Sequence, residues 1–167
     1  MQGVSLMKIF FYFTLVLGLF ALSGCATKKE ISQSESYLIS VKNKQIALSD
    51  TGFINQGKAY TNVQIFSMGN VLFNLEVMPD EICLDGRCLD PLAFNGYFFQ
   101  SEHYVSLMQD IITKMPIYSA QNLQKTSSGF EQEIELEKSH IIYKVEGQNV
   151  LFRDTKQGIM IRLKPLL

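Results

Sequence analysis

Cys83 and Cys88 bracket Leu84-Asp85-Gly86-Arg87, the clearest chemical spacing within the body of the chain. Asp-Gly is a favoured pair for a two-residue hairpin turn, because both central positions need positive φ. With Asp85-Gly86 at the tip, Leu84 faces Arg87 in a hydrogen-bonded pair. Cys83 then faces Cys88 in the next, non-hydrogen-bonded pair, where side chains approach closely. That geometry suits a disulfide. Two other chemistries use cysteine pairs. A redox dithiol more often shows Cys-x-x-Cys at a helix N-terminus that lowers one thiol pKa, a different spacing. A zinc centre needs four ligands, and only His103 and His140 are available to join the pair.

Catalytic patterns are otherwise missing from the sequence. It contains no Gly-x-Ser-x-Gly elbow, no His-Glu-x-x-His, no phosphate-cradling glycine loop and no dinucleotide fingerprint. His103 sits beside Glu102 and His140 beside Ser139, neither with a motif partner. These absences point to a protein without enzymatic activity, with neither a catalytic nor a metal site and no cofactor beyond a covalent lipid. Glu131, Glu133, Glu135 and Glu137 alternate with apolar residues and read as a solvated strand face; a calcium site would need oxygens converging from other segments.

The elements that would position these residues are mostly strands. Tyr37–Val41 and Gln45–Leu48 read as the first two, with Asn43 near their turn, and Ser49-Asp50-Thr51-Gly52 reads as a turn cluster. Val63–Phe66 and Val71–Val77 flank a hairpin at Gly69-Asn70, and Val71, Phe73, Leu75 and Val77 share one face. Ser101 to Met115 carries the one helical periodicity: Ser101 as N-cap, a stripe of Tyr104, Met108, Ile111 and Met115, and Pro116 as the stop. The run Pro91–Phe99 fits neither pattern. It reads as a short hairpin or a loop across the core, or else as the lip of a pocket or a partner surface. Strands at Phe130–Leu136, Ile141–Val145, Val150–Arg153 and Ile159–Leu163 form a closing meander. The expected fold is α+β: a curved antiparallel sheet with one main helix, about 101–115, packed on it.

The amino terminus fixes a location. Lys8 precedes an apolar run from Ile9 to Leu22, too short for the roughly 20 residues of a membrane span and laid out as a secretory signal. Leu22-Ser23-Gly24-Cys25 resembles the lipobox of bacterial lipoproteins. The resemblance implies cleavage before Cys25, a diacylglyceryl thioether on its sulfur and acylation of its new amino group, palmitate being a typical chain. Met7-Lys8 makes a more ordinary start than Met1. Ala26, rather than aspartate, follows the cysteine, which implies the outer membrane, facing the periplasm. Residues 1–24 are thus a signal peptide, 25–36 a lipidated flexible tether and 37–167 a single periplasm-facing domain. The eleven tether residues after Cys25 have a root-mean-square reach of roughly 18 Å.

Without the signal, 14 basic and 16 acidic side chains remain, a formal −2 with no basic stripe, which excludes a nucleic-acid-binding profile. With Cys25 assigned to lipid and the compartment oxidising, the Cys83/Cys88 pair is expected as a disulfide.

The order of elements from about Ala59 to Leu163 is similar to that of LolB and its soluble relative LolA. These periplasmic lipoprotein receptors and carriers are built as an unclosed antiparallel barrel with helices filling the mouth. The resemblance implies an unclosed β-barrel here and a lipid or acyl ligand. Phe73, Leu75 and Val77 would form one wall and Tyr104, Met108 and Ile111 the mouth. An interaction or scaffolding lipoprotein, with an envelope protein as partner and its core fully packed, is the alternative.

Overall fold

A computed structural model of the chain describes residues 31–166. Cys25 and the signal segment lie outside them. Eleven strands form one sheet: β1 (Ile31–Lys42), β2 (Ala47–Gly57), β3 (Tyr60–Ser67), β4 (Asn70–Val77), β5 (Ile82–Leu84), β6 (Arg87–Leu89), β7 (Gln124–Lys125), β8 (Gly129–Glu135), β9 (His140–Glu146), β10 (Asn149–Asp154) and β11 (Ile159–Pro165). The order across the sheet is β6-β5-β4-β3-β2-β1-β11-β10-β9-β8-β7, antiparallel throughout, and the sheet is not closed. Consecutive strands are neighbours except β6 and β7, and one pairing joins strands far apart in the chain. The first and last strands meet in the middle, with Tyr37 opposite Pro165 and Val41 opposite Ile161. The chain also leaves the β6 edge and returns at the β7 edge. The connection between those edges holds α1 (Pro91–Phe99), α2 (Leu107–Ile112) and a short turn at Tyr118–Ala120.

Alternation along the strands explains the core. Tyr37, Ile39 and Val41 of β1, Phe73, Leu75 and Val77 of β4, and Ile159, Ile161 and Leu163 of β11 are all buried on one face, the inner face. The opposite face of β8 and β9 carries polar pairs, with Glu131 bonded to Lys144 (2.5 Å) and Glu133 to His140 (2.8 Å). Glu135 pairs with Lys156. The glutamate stripe is therefore a solvated outer face.

Several details differ from the sequence expectation. Residues 31–36 are not tether. They form the start of β1, paired with β2 from Ile31 opposite Gly57 to Ser36 opposite Phe53. Ser49–Gly52 is not a turn but part of β2. A Cβ on Gly52 would meet the Gln64 carbonyl oxygen at 2.1 Å, so this glycine lets β3 approach closely rather than bending the chain. The β3–β4 turn is centred on Met68-Gly69, both at positive φ (49° and 82°), one residue earlier than Gly69-Asn70. Val71 is exposed because the register shifts beside Phe66.

The largest correction concerns the helix. Ser101 to Met115 is not one helix; only Leu107–Ile112 is α-helical there, and Lys114 (φ 63°) ends it before Pro116. The longer helix is Pro91–Phe99, the segment that fitted no pattern. The fold is accordingly more β than an even α+β balance.

Candidate functional site

The 90–123 connection runs from one sheet edge to the other, so it must cross a face, and it covers the apolar one. Asp90 starts α1: its Oδ1 accepts from the N–H groups of Leu92 (3.1 Å) and Ala93 (3.0 Å). Pro91 follows at the first helical position, where its missing N–H costs nothing. Gln100, left-handed at φ 56°, ends it. Phe94, Phe98 and Phe99 face inward, and Phe99 meets Phe152 of β10 edge-on at 5.5 Å. Leu107, Met108, Ile111 and Ile112 of α2 are buried alongside. Helices of nine and six residues have little stability of their own, so packing holds them.

Polar side chains latch this cover at a few points. Asn43 Nδ2 donates to the Phe98 carbonyl (3.2 Å), and Gln109 Nε2 donates to Thr61 Oγ1 (3.1 Å). Lys114 Nζ donates to Tyr37 Oη (3.0 Å) and to Gln148 Oε1. Gln132, buried on β8, accepts from the Ile117 N–H (2.9 Å) and donates to the carbonyls of Ile117 (2.9 Å) and Gln121 (2.7 Å). Those bonds hold the longest run of left-handed residues among the described ones. Tyr118, Ser119 and Ala120 are consecutive left-handed residues (φ 48°, 52° and 61°), a conformation costing roughly 1–2 kcal/mol per residue outside glycine.

Two clefts border the cover. One, of about 290 Å³, lies at the end of the sheet where β1 begins, between the β2–β3 turn, the end of β4 and the starts of α1 and α2. Its apolar wall is Val77, Met78, Pro79, Ile82, Pro91 and Val105. The other, of about 400 Å³, lies between residues 101–104, Tyr118 and the β8–β9 turn. His103 lines it and shares a 2.5 Å hydrogen bond between its Nδ1 and Tyr118 Oη. Burial lowers the His103 pKa below its usual value, with Asp154 acting in the opposite sense. Burial, then Asp154, pushes Tyr118 up to about 12. Asp154 Oδ1 accepts from the N–H groups of His140, Lys156 and Gln157. Its Oδ2, His103 Nε2 and Ser139 Oγ are buried without a hydrogen-bond partner among the described residues. These are the residue types of a nucleophilic triad, but neither Ser139–His103 nor His103–Asp154 makes the bond a relay needs. Of the three residues only His103 lines this cleft.

The residues expected to line an apolar site are gathered on the covered face. Phe73, Leu75 and Val77 lie on β4 and Met108 and Ile111 on α2, all in one buried core, while Tyr104 is half-buried against it. Of the six, Val77 reaches the first cleft and Tyr104 the second. Cys83 and Cys88 stand opposite each other and are joined at 2.01 Å. Glu81 is within 4.8 Å of both sulfurs, but a disulfide has no thiolate to offer a metal. Asn43, Gln109 and Gln132 were invisible as latches from sequence, since each partner lies 11 to 55 residues away. His103 and His140 show no shared site: His140 is engaged by Glu133 and Thr155.

The chain matches no protein-family model, and no curated protein sequence matches it.

Proposed function

We propose that this is a lipoprotein anchored through Cys25 in the outer membrane, facing the periplasm, that acts without catalysis by holding lipid or acyl chains between its open sheet and its helical cover. One observation carries the reading. An eleven-stranded antiparallel sheet that is not closed has a continuous apolar inner face roofed only by two short helices and a strained turn. That is the layout implied by the resemblance to the LolB and LolA family. Phe94, Phe98, Phe99, Leu107, Met108 and Ile111 occupy the inner face in this state, so a chain enters by taking their place as the cover lifts. Each apolar surface exposed by lifting is reburied on the ligand at about 25 cal/mol/Å², which makes the exchange feasible.

The test is native mass spectrometry of the protein with Cys25 replaced and secreted to the periplasm. Co-purified phospholipid or acylated peptide is expected. A ligand-free mass, together with failure to take up a fluorescent fatty acid, overturns the reading. The same filled core favours a second reading, an interaction or scaffold lipoprotein of an envelope complex, since Leu92 and Tyr97 stay exposed on α1 while its phenylalanines are buried. In-cell crosslinking from position 97 to an envelope protein would support it.

A further inference from the structure

The cleft beside the β2–β3 turn lies where the chain arrives from its anchor. Ile31 opens β1 opposite Gly57, and Gly57 and Lys58 line that cleft. Ile31 is only six positions after Cys25, a span of at most about 22 Å in any conformation. Exposed apolar side chains ring the same end. Ile31 is 51% exposed, Leu89 opposite Ile82 is 41%, Leu92 beside Pro91 is 55%, and Val105 in the cleft wall is 49%.

The molecule has a second exposed apolar spot, Met68 with Val71 and Leu72 at the β3–β4 turn. Chain length decides between them. From the level of Ile31 the register advances five positions along β2, Gly57 to Gly52, then three along β3, Ile65 to Met68. Eight positions are about 26 Å at 3.3 Å per residue. The leash cannot bring Met68 to the bilayer with the strands upright, whereas it brings Val105 and Leu92 there with slack.

We propose that this end of the sheet is the membrane-facing end and that its cleft docks on the bilayer by taking in a phospholipid acyl chain. The inference rests on the lipid anchor at Cys25 and adds the orientation and the port. The cleft is bounded by Pro91, Val105, Ser106 and Gln109 of the cover, so a chain entering here passes under the elements that roof the inner face. The Gln109–Thr61 hydrogen bond lies at that seam. Lys58 is the single charged residue in the cleft lining, so apolar contact rather than charge drives the docking, and added salt changes it little.

The chain has no tryptophan, so a single introduced one reports without background. Lipidated full-length protein carrying Val105→Trp, Leu92→Trp or Met68→Trp is reconstituted into phosphatidylethanolamine/phosphatidylglycerol vesicles with brominated acyl chains. All three replaced side chains are exposed, and circular dichroism checks the fold. Emission from positions 105 and 92 should fall at least twofold relative to unbrominated vesicles, and emission from position 68 should not change. Quenching at 68, at all three positions or at none overturns the orientation. Intact mass separates the two levels of the inference. A mature protein with unmodified Cys25 removes the anchor and this orientation with it; a lipidated protein with reversed quenching removes the orientation alone.

Discussion

Phe152 and Phe99 touch, yet the chain holds them in different ways. Phe152 sits in β10, fixed residue by residue between β9 and β11, opposite Tyr143 on one side and Ile161 on the other. Phe99 reaches the same ring from the last turn of a nine-residue helix, capped at one end by Asp90 and latched near the other through Asn43 to the Phe98 carbonyl. Both rings are fully buried. Burial alone therefore does not distinguish sheet from cover; the density of backbone hydrogen bonding does. Regions held mainly by side chains open at lower free energy than the ladders they rest on. The cover is therefore expected to open before the sheet does.

The comparison breaks most directly at the rings. Phe99→Ala should cost about 3–5 kcal/mol in urea unfolding. Hydrogen exchange should rise across 91–112 before it rises in β9 to β11. Equal loosening of both regions would mean that sheet and cover unfold as one unit. A smaller effect is expected at Gln132. Gln132→Leu keeps the volume but leaves the Ile117 N–H and the carbonyls of Ile117 and Gln121 without their partner. That should lower stability by about 1–3 kcal/mol and release the left-handed turn, read as faster exchange at 117–121. The smallest effect is electrical. His103 has its pKa lowered in the fold, so the folded state resists protonation of that ring. Its contribution is complete above the unfolded value of about 6.5 and is lost as pH falls through that value toward the depressed folded one. Exchange in 101–120 should therefore quicken at pH 5 relative to pH 8 after correction for intrinsic rates, and His103→Phe should flatten the difference.

The same contrast explains what was legible in the sequence. The sheet could be read because alternation is local: Phe73, Leu75 and Val77 announce a one-sided strand, and Asp85-Gly86 announces the turn that brings Cys83 to Cys88. Asp90-Pro91 opens α1 in the structure. The segment it opens shows no helical pattern, because Pro91–Phe99 is apolar on nearly every side and has no amphipathic stripe, as expected of a helix pressed between sheet and loop. The stripe from Tyr104 to Met115 was real in its middle, at Leu107 to Ile112, and misleading at both ends. Residues 101–106 make irregular turns that bring His103 to Tyr118 and Asn95 Nδ2 to the Tyr104 carbonyl. The latches were out of reach because each depends on which distant segment lies opposite, and local sequence does not encode that.

The central seam has a consequence for how the molecule comes into being. β1 pairs with β11, the first strand in chain order with the last, across more than a hundred residues. Until Ile159–Pro165 emerge, β1 has one unpaired side along Tyr37 to Lys42, and the half-sheet behind it lacks its neighbour. Such an edge invites pairing with another chain, and closing so long a loop is slow. A frameshift or stop codon that removes only the final strand would leave ten strands able to form and no seam between the halves. The expected product is an aggregating polypeptide rather than a slightly weakened protein.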